Sequence, residues 1–291
     1  MTWTFSEDLD EYLTVAGATV AARPAENTLL LTVAGTLRRR GSDAYGEGTP
    51  RYGWWRGADG RVDGALLWTP PYAVLVGTVP AEAVAPPAGA CVTFGSPAVS
   101  AERGTAGALA AEWRRTGAEV TTVVERRLYR LGVLTPPDPS PPGRARVATT
   151  ADRALLVEWV DAFRRETGQP APGAGRAVDD RIAYGGLTLW EHDGVPVSTA
   201  GVSRPVAGTV RVAPVYTAPQ WRGRGYAAAV TAAASGAVRG AGAGEVLLFT
   251  DLANPTSNGV YRRIGYRAVA DRVEIAMGGR SPAAGLSPPA L

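Results

Sequence analysis

A short loop of arginine and glycine joins a predicted strand to a predicted helix in the second half of the chain. The β-branched run 209–216 predicts the strand, Arg222-Gly-Arg-Gly225 forms the loop, and the alanine-rich stretch 225–240 predicts the helix. Glycine lets the backbone approach a ligand closely, and the first amides of a helix have no acceptor within it. The helix dipole favours an anion there, and arginine forks suit phosphate. The segment therefore predicts a pyrophosphate-binding loop.

One interpretation of this loop is a dinucleotide site. Gly223-x-Gly225-x-x-Ala228 fits the G-x-G-x-x-G/A fingerprint, and Asp251 ends the next strand-like run, as an acidic ribose ligand would. However, residues 217–221 separate the strand from the first glycine, and the motif falls late in its domain. An NAD(P)-binding oxidoreductase therefore stays open as an alternative function.

A second interpretation is a coenzyme A site. Gln220-x-x-Gly-x-Gly225 resembles the Q/R-x-x-G-x-G/A signature of the GNAT superfamily of acyl-CoA N-acyltransferases. Downstream, Asn254-Pro-Thr-Ser-Asn-Gly-Val-Tyr-Arg-Arg-Ile-Gly-Tyr266 resembles the N-x-x-x-N-x-x-Y-x-x-x-G-F/Y element of the same family. Two linked motifs are more specific than one, and the resemblance extends over about residues 144–277.

The resemblance implies the GNAT acyltransferase fold, an α/β (α+β) arrangement of a mixed central sheet flanked by helices. Hydrophobic spacing and turn residues predict the same order of elements. These are helices at about 153–166, 178–183, 225–240 and 256–263, a hairpin over 187–198, and strands at 195–203, 209–216, 245–251 and 266–277. Asp152 is the expected cap of the first of these helices, and His192-Asp-Gly194 is the expected hairpin turn.

A proline-rich segment divides the chain into two predicted domains. Thr135–Gly143 carries five prolines in nine residues, a composition typical of an extended, semi-rigid linker. We therefore expect one domain over residues 1–134, a second over 144–277, and a disordered Gly/Pro/Ser-rich tail over 278–291.

The first half resembles a degraded copy of the second. Its segment 54–68, which contains an Asp-Gly pair, is similar in pattern to 189–200, and a helix-like 106–115 precedes a strand-like 120–134. The first half has no arginine–glycine loop at the place where one would be needed, and Gly77-Thr-Val-Pro-Ala81 is no substitute. The hypothesis is a two-domain tandem in which an N-terminal GNAT-like domain has lost its cofactor loop. An unrelated α/β domain is the alternative.

The resemblance also implies which residues contact acetyl-CoA. The end of the strand before the loop pairs with the pantetheine arm, the loop amides take the pyrophosphate, and a splay of that strand from 245–251 opens the acyl channel. The implied cofactor-binding residues are Val215, Tyr216, Thr217, Arg222, Gly223, Arg224, Gly225, Tyr226, Ala227, Asn254, Asn258 and Tyr261. For the two asparagines, local helix capping is the alternative.

Acyl transfer to an amine needs a proton donor for the thiolate and a route for the amine proton. By resemblance Tyr261 is the donor, with a packed aromatic as the alternative, whereas Tyr266 is expected in the core. Many family members carry a glutamate on the strand before the loop, but this strand has no carboxylate. Glu166, Asp251 and Asp161 are the candidate bases, together with a water chain. Glu166 is also a candidate contact for the acceptor amine.

Composition excludes several other chemistries. Cys91 and His192 are the single cysteine and histidine among 291 residues, which disfavours a Cys/His zinc site, and no metal is expected. Cys91 has no evident base partner, so a covalent thiol intermediate is disfavoured, and His192 is expected to be exposed in its turn. The lack of a disulfide partner, of a signal-peptide pattern and of a long apolar run predicts a cytoplasmic protein without a membrane partner. Net charge is +3 without a dense basic run, so nucleic acid is not an expected partner.

These observations predict an acyl-CoA-dependent N-acyltransferase that transfers an acetyl group to a primary amine by direct attack. The acceptor stays open among small amines, amino acid or aminoglycoside-like metabolites, and peptide N-termini, and the protein is expected to be a monomer or homodimer. A catalytically silent coenzyme A-binding sensor is the main alternative, because the strand before the loop lacks a carboxylate.

Overall fold

The computed structural model describes residues 1–84, 89, 94–96, 98–168 and 173–278. The chain forms two compact units, Met1–Arg127 with the described residues from Ala270 onward, and Leu128–Val269. The division falls inside two long strands, Val120–Leu131 and Tyr266–Met277, whereas the sequence analysis placed it at the proline-rich segment. Apart from Gly278, the predicted tail lies outside the described residues.

The first unit begins with a strand and two helices. Its strands are β1 Thr2–Ser6, β2 Arg51–Arg56, β3 Val62–Trp68, β4 Val74–Val76, β5 Ala98–Glu102 and the start of β6 Val120–Leu131, and its helices are α1 Leu9–Ala21, α2 Thr28–Arg40 and α3 Arg103–Arg115. The Asp8 side chain caps α1 by accepting from the amides of Asp10 and Glu11. Helix α2 ends at Gly41, whose φ of 91° suits glycine.

The sheet of the first unit is completed by residues from the other end of the chain. Strands β1 to β4 are antiparallel neighbours, and β4 is parallel to β5. The next strand is β12 (Tyr266–Met277), which pairs antiparallel with β5 from Arg272 opposite Glu102 to Ala276 opposite Ala98. Its Ile275 joins a core built around Val99, Leu109 and Trp113.

From Arg153 onward the second unit has the element order that the sequence predicts, and the strand Arg144–Val147 is additional to that order. After the end of β6 its strands are β7 Arg144–Val147, β8 Leu187–His192, β9 Val195–Val202, β10 Thr209–Thr217, β11 Glu245–Asp251 and the start of β12, and its helices are α4 Arg153–Glu166, α5 Ala174–Ala183, α6 Tyr226–Gly240 and α7 Pro255–Arg263. Helix α5 starts four residues earlier than predicted. Gly173 precedes it with a φ of 88°, and Ala174, Ala177 and Val178 are buried along one face.

The predicted cap of α4 is wrong in detail. Asp152 is the last residue of a 3₁₀ turn, Thr150–Asp152, and its side chain does not cap α4. It accepts instead from the amide of Thr149, which forms a capping box with it, and from both terminal nitrogens of Arg146 at 2.8 Å. These bonds to Arg146 lower the pKa of Asp152 to about 2. These hydrogen bonds occupy the Asp152 carboxylate, and they connect β7 to the start of α4.

In the second unit two neighbouring strands separate after a short pairing. Strands β7 to β10 are antiparallel, and the β8–β9 hairpin turns at Asp193 and Gly194, both at positive φ as a type I′ turn requires. Parallel pairing of β10 with β11 extends from Thr209 opposite Glu245 to Arg211 opposite Leu247. Both strands continue beyond that register, to Thr217 and Asp251, so their facing edges are unpaired there.

The two units repeat one order of elements. Each runs from a strand through two helices to three antiparallel strands, followed by a parallel strand, a helix and a long strand. In this order β4 and β5 correspond to β10 and β11. The counterpart of α6 would fall between β4 and β5, where much of the chain lies outside the described residues. The structure is a two-domain tandem of mixed sheets flanked by helices.

In the first unit Arg272 bridges β4 and β5, the two strands that correspond to the separated β10 and β11 of the second unit. Arg272 of β12 donates from Nη2 to the carbonyl oxygens of Val76 at 2.7 Å and Ser100 at 2.6 Å, and from Nε to Ser100 Oγ at 2.9 Å. Its buried guanidinium thus joins the end of β4 to β5. The amides that follow β4 are also engaged, since Gly77 donates to Ala65 O and Thr78 donates to Asn27 Oδ1. The amides of Gly77 and Thr78, the first two after β4, are therefore not available to a ligand.

Glu274 is a buried carboxyl on the same strand. It is 1% exposed, and Arg126 Nη1 lies 3.5 Å from its Oε2. Burial raises the pKa of Glu274 to about 7, although Arg126 opposes that shift. The folded state therefore binds more protons than the unfolded state between pH 4.5 and about 7, and this group's contribution to stability is lost as pH rises through that window.

Replacing Glu274 by Gln removes this titration. We expect the unfolding free energy of Glu274→Gln, relative to wild type, to increase by on the order of 3 kcal/mol between pH 4.5 and pH 8. Chemical denaturation at the two pH values measures the change. Glu125→Gln, which alters a partly exposed carboxylate paired with Arg103, is the control and should show little pH dependence. An equal difference for Glu274→Gln at both pH values would contradict the assignment.

Candidate active site

The arginine–glycine loop, Arg222–Gly225, lies between a 3₁₀ turn and the first residue of α6. Gly223 and Gly225 have φ of 77° and 83°, a region that glycine enters without strain. Gly225 is the N-cap residue, and the first intrahelical bond runs from the amide of Ala229 to its carbonyl at 3.1 Å. The amides of residues 226–228 therefore have no acceptor within the helix. A Cβ at Gly223 would meet no atom within 4 Å, so this backbone borders open space.

The two loop arginines have different surroundings. Arg222 Nη2 donates to both oxygens of Glu166, at 2.9 and 2.8 Å, and Arg222 Nε donates to Thr217 O at 3.0 Å. Arg224 is exposed, and its guanidinium carbon lies 4.9 Å from the centre of the Trp221 ring. Among the described residues, no carboxylate forms an ion pair with it. Most of the uncompensated positive charge of the loop therefore belongs to Arg224.

Three rings pack beneath the loop. His192 lies 5.7 Å from Trp221 and 6.1 Å from Tyr226, and Trp221 lies 6.1 Å from Tyr226. The expectation that His192 is exposed is wrong, since its side chain is 23% exposed. The turn uses Asp193 and Gly194, which leaves His192 as the last strand residue. The Tyr226 side chain is buried, so its amide is the group that it can offer at the helix start.

The proline-rich segment also reaches the loop. A Cβ at Gly225 would lie 3.9 Å from both Cβ and Cγ of Pro141, and Trp190 Nε1 donates to Pro142 O at 3.0 Å. Residues 135–143 have no helix or strand, as predicted, yet part of the segment packs against other residues of the second unit. The strand predicted over 120–134 ends at Leu131. Composition alone does not reveal these contacts, because they join residues that are far apart in sequence.

The end of β10 lines the gap between β10 and β11. Val215 pairs with Ala200 of β9, so the opposite edge of β10 faces the gap. The buried Tyr216 packs 5.9 Å from Trp159, and its hydroxyl lies 3.4 Å from Glu166 Oε1. Burial, and then the Glu166 charge, raises the pKa of Tyr216. This strand end therefore combines fixed side chains with a backbone edge that β11 does not pair with.

The two predicted asparagines hold the loop after β11. Asn254 Oδ1 accepts from the amide of Ser257 at 2.9 Å and caps α7. Asn258 is buried, and its Nδ2 donates to the carbonyls of Asp251 and Asn254, each at 2.8 Å. Its Oδ1 accepts from Tyr129 Oη at 2.9 Å. Local structure therefore uses the side-chain amides of both residues, as the capping alternative expects.

Tyr261 and Tyr266 differ in their surroundings, although their ring centres are 6.1 Å apart. Tyr261 is partly buried on α7, and burial raises its pKa to about 12, so the phenol is protonated at neutral pH. No hydrogen bond within the described part of the chain engages its hydroxyl. Tyr266 is fully buried and its hydroxyl lies 2.7 Å from Ser235 Oγ, which confirms the predicted core position.

The candidate carboxylates do not form a buried cluster. Asp251 is exposed, and its Oδ1 accepts from the amide of Ala253 at 2.7 Å. Asp161 is partly buried on α4, and Glu166 is paired with Arg222. Across the described residues of the second unit, no aspartate or glutamate is fully buried. The carboxylates predicted as bases therefore have different partners and are not brought together by the fold.

A family model for the acetyltransferase (GNAT) family matches residues 154–266, which contain the loop, the gap and α7. These residues form a GNAT domain. No curated protein sequence matches the chain. The family match and the antiparallel β9–β10 pair do not favour the dinucleotide interpretation, which requires a doubly wound parallel sheet.

Solved structures extend the likeness over the whole chain. A GCN5-related N-acetyltransferase from Sphaerobacter thermophilus matches with a TM-score of 0.63 and 18% identity, covering 94% of each chain. A GNAT-family acetyltransferase from Colwellia psychrerythraea matches with a TM-score of 0.62 and 12% identity over 96% of this chain and all of that one. A tandem GNAT protein from the clavulanic acid biosynthesis pathway matches with a TM-score of 0.57 and 15% identity, over 96% and 100%. At these identities the likeness concerns the fold.

Two further observations concern metal ions and membrane-spanning helices. Within the described ranges, no group of three or more His, Cys, Asp or Glu residues could hold a metal ion. No helix in the same part of the chain is long and apolar enough to cross a membrane. Cys91, which the sequence analysis considered for covalent catalysis, lies outside the described residues.

The geometry of the GNAT domain predicts unequal roles for its two asparagines. Asn258→Ala should lower the free energy of unfolding by about 2–3 kcal/mol, because Tyr129 Oη and two carbonyls lose their partner in a buried site. Asn254→Ala should cost about 1 kcal/mol, the usual effect of losing an N-cap. Urea denaturation of both variants measures the difference. An Asn258→Ala variant as stable as Asn254→Ala would contradict the assignment.

Proposed function

We propose that the GNAT domain transfers an acetyl group from acetyl-CoA to a primary amine by direct attack. The observation that carries this proposal is the glycine loop with unused helix amides, placed beside a strand pair that separates after three residue pairs. A pyrophosphate needs amide donors and positive charge, and a thioester needs a slot between strands. The domain offers both at one end of β10.

In this proposal the cofactor lies along the loop and the strand end. The amides of residues 223–227 and the guanidinium of Arg224 bind the pyrophosphate. The backbone of Val215–Thr217 pairs with the pantetheine arm. The acyl group enters the gap between β10 and β11. Asn254 and Asn258 act by holding the β11–α7 loop in place, since their side chains already bond within it.

The chemistry requires a neutral amine and a proton for the departing sulfur. The amine nitrogen attacks the thioester carbonyl carbon, a tetrahedral intermediate forms, and the carbon–sulfur bond breaks. Tyr261 donates its phenolic proton to the thiolate and then takes a proton back from water, which receives the proton that the amine loses. The phenol is protonated at neutral pH, although burial, by raising its pKa to about 12, makes it a weaker acid. The products are an amide and coenzyme A, and no enzyme-bound acyl group forms.

The amine proton is proposed to leave through water. Strand β10 carries no carboxylate, Asp251 is bonded to the Ala253 amide, and Glu166 is paired with Arg222. A solvent route needs no fixed base, provided that the acceptor site is open to water. The acceptor itself is proposed at the level of class, a primary amine.

Cofactor binding is proposed for the second unit alone. In the first unit Arg272 joins β4 to β5, and the amides of Gly77 and Thr78 after β4 are engaged. This agrees with an N-terminal GNAT-like domain that has lost its cofactor loop. A calorimetric titration should therefore give one coenzyme A per chain.

The loop assignment predicts a specific loss of affinity. Wild type should bind acetyl-CoA and coenzyme A but not NADH in calorimetric titrations. The double variant Arg224→Ala with Gly225→Val should lose coenzyme A binding, because it removes a phosphate donor and places a β-branched residue at positive φ. Arg176→Ala, an exposed arginine on α5, is the matched control and should bind normally. Binding of NADH, or absence of coenzyme A binding by wild type, would contradict the proposal.

The proton-donor assignment predicts a change in turnover without a change in binding. Tyr261→Phe should lower kcat by about 10²–10⁴-fold while the Kd for acetyl-CoA stays within about twofold. Thiol release with a panel of primary amines measures kcat. Tyr266→Phe is the control, because it removes a neighbouring buried hydroxyl that bonds Ser235, and it should affect stability rather than kcat. An equal loss of kcat in both variants would indicate that the Tyr261 hydroxyl acts through packing and not as a proton donor.

A catalytically silent coenzyme A-binding protein is the second candidate. The absence of a carboxylate on β10 favours it, because many family members carry a glutamate there. In that case wild type would bind acetyl-CoA with full stoichiometry, release no thiol with any amine of the panel, and not respond to Tyr261→Phe.

A further inference from the structure

The strongest unexplained contact of the loop joins it to the end of α4. Arg222 Nη2 lies 2.9 and 2.8 Å from the two oxygens of Glu166, a residue 56 positions earlier in the chain. Each of the two side chains is 46% exposed. Because Arg222 directly precedes the first loop glycine, the bond fixes where the loop begins.

Further contacts hold the same guanidinium. Arg222 Nε donates to Thr217 O at 3.0 Å, and its guanidinium carbon lies 5.4 Å from the centre of the Tyr216 ring. The Tyr216 hydroxyl in turn lies 3.4 Å from Glu166 Oε1. Arg222 therefore engages a backbone oxygen at the strand end that is proposed to pair with pantetheine.

Only one of the two loop arginines, Arg222, is paired with a carboxylate among the described residues. Arg224 stacks on Trp221 and forms no ion pair among the described residues, whereas the charge of Arg222 is offset by Glu166. Two arginines flank Gly223, yet one of them is unavailable to phosphate while its carboxylate partner remains. A phosphate would have to displace Glu166 before it could bind Arg222 through a charge-assisted hydrogen bond.

We propose that Glu166 and Arg222 form a latch that restrains the coenzyme A site in the free protein and opens when the cosubstrate phosphate replaces Glu166 at Arg222. This inference rests on the proposed function and adds a form of regulation to the same site. It also assigns Glu166 as a positioning residue that acts through Arg222, and not as the general base.

The solvent exposure of the Glu166–Arg222 ion pair determines how much the latch can change the affinity for acetyl-CoA. Half-exposed ion pairs contribute little, so opening the latch should cost about two- to fivefold in affinity for acetyl-CoA. Titration calorimetry resolves a change of this size. Glutamine is the chosen replacement for both residues, because it keeps hydrogen-bonding capacity while removing charge.

The test is a double-variant cycle in which acetyl-CoA is the probe. Glu166→Gln should bind acetyl-CoA about two- to fivefold more tightly than wild type, because Arg222 is released. Arg222→Gln should bind more weakly than wild type, because a phosphate contact is lost. In the Arg222→Gln background, adding Glu166→Gln should change nothing, since there is no latch left to open.

Asp179→Asn is the matched control. Asp179 forms a two-oxygen pair with Arg153, at 2.6 and 2.9 Å, with half of each side chain exposed, and this pair joins α4 to α5 away from the loop. Its loss should leave the affinity for acetyl-CoA unchanged. Coenzyme A and dephospho-coenzyme A serve as a second pair of probes, because they differ only in the 3′-phosphate. An effect of Glu166→Gln on both probes assigns the latch to the pyrophosphate, and an effect on coenzyme A alone assigns it to the 3′-phosphate.

The binding results distinguish failure of the latch from failure of the proposed function. Wild-type binding of acetyl-CoA that Glu166→Gln weakens or leaves unchanged would overturn the latch and leave the proposed function standing. An equal gain in the wild-type and Arg222→Gln backgrounds would overturn it too, because Glu166 would then act independently of Arg222. Absence of acetyl-CoA binding in wild type and all variants would overturn the proposed function and the latch with it.

Discussion

The separation of β10 from β11 is the constraint on which the candidate site depends. Strand pairing stops after Arg211 and Leu247, although both strands continue, and a strand edge without a partner has unused amides and carbonyls. The fold tolerates this edge because β9 holds the other side of β10 and α6 packs beneath the sheet. A polar chain such as pantetheine would complete the interrupted hydrogen-bonding pattern, so the gap suits a ligand that resembles a peptide strand.

Residues that match the family motifs divide into two physical roles. The loop glycines and the first amides of α6 are directed by backbone conformation and have no internal partner. Asn254 and Asn258, by contrast, form side-chain hydrogen bonds that hold the loop after β11. A motif can therefore recur because it builds the frame around a ligand, and a motif match does not by itself identify a contact with that ligand.

Much of the second unit follows from local sequence patterns, and most of the rest depends on contacts between distant residues. Helix α4 and strands β11 and β12 have the bounds that periodicity and turn residues predict, and the arginine–glycine loop is visible because its residues are contiguous. The pairing of Arg222 with Glu166, the Tyr129–Asn258 bond and the approach of Pro141 to Gly225 join positions that no local pattern connects. The cap at Thr149 was missed for another reason, since two adjacent capping signals compete and the bond to Arg146 decides between them.

The placement of β12 in the first unit affects how the chain can fold during synthesis. Residues 272–276 pair with β5 and supply buried side chains to a core that otherwise comes almost entirely from the first 127 residues. That core stays incomplete until Val273 and Ile275 have left the ribosome. Contacts of such wide sequence separation slow folding. Folding of the N-terminal half is therefore tied to completion of the C-terminal half, and a protein cut at the proline-rich segment would divide one core between two fragments.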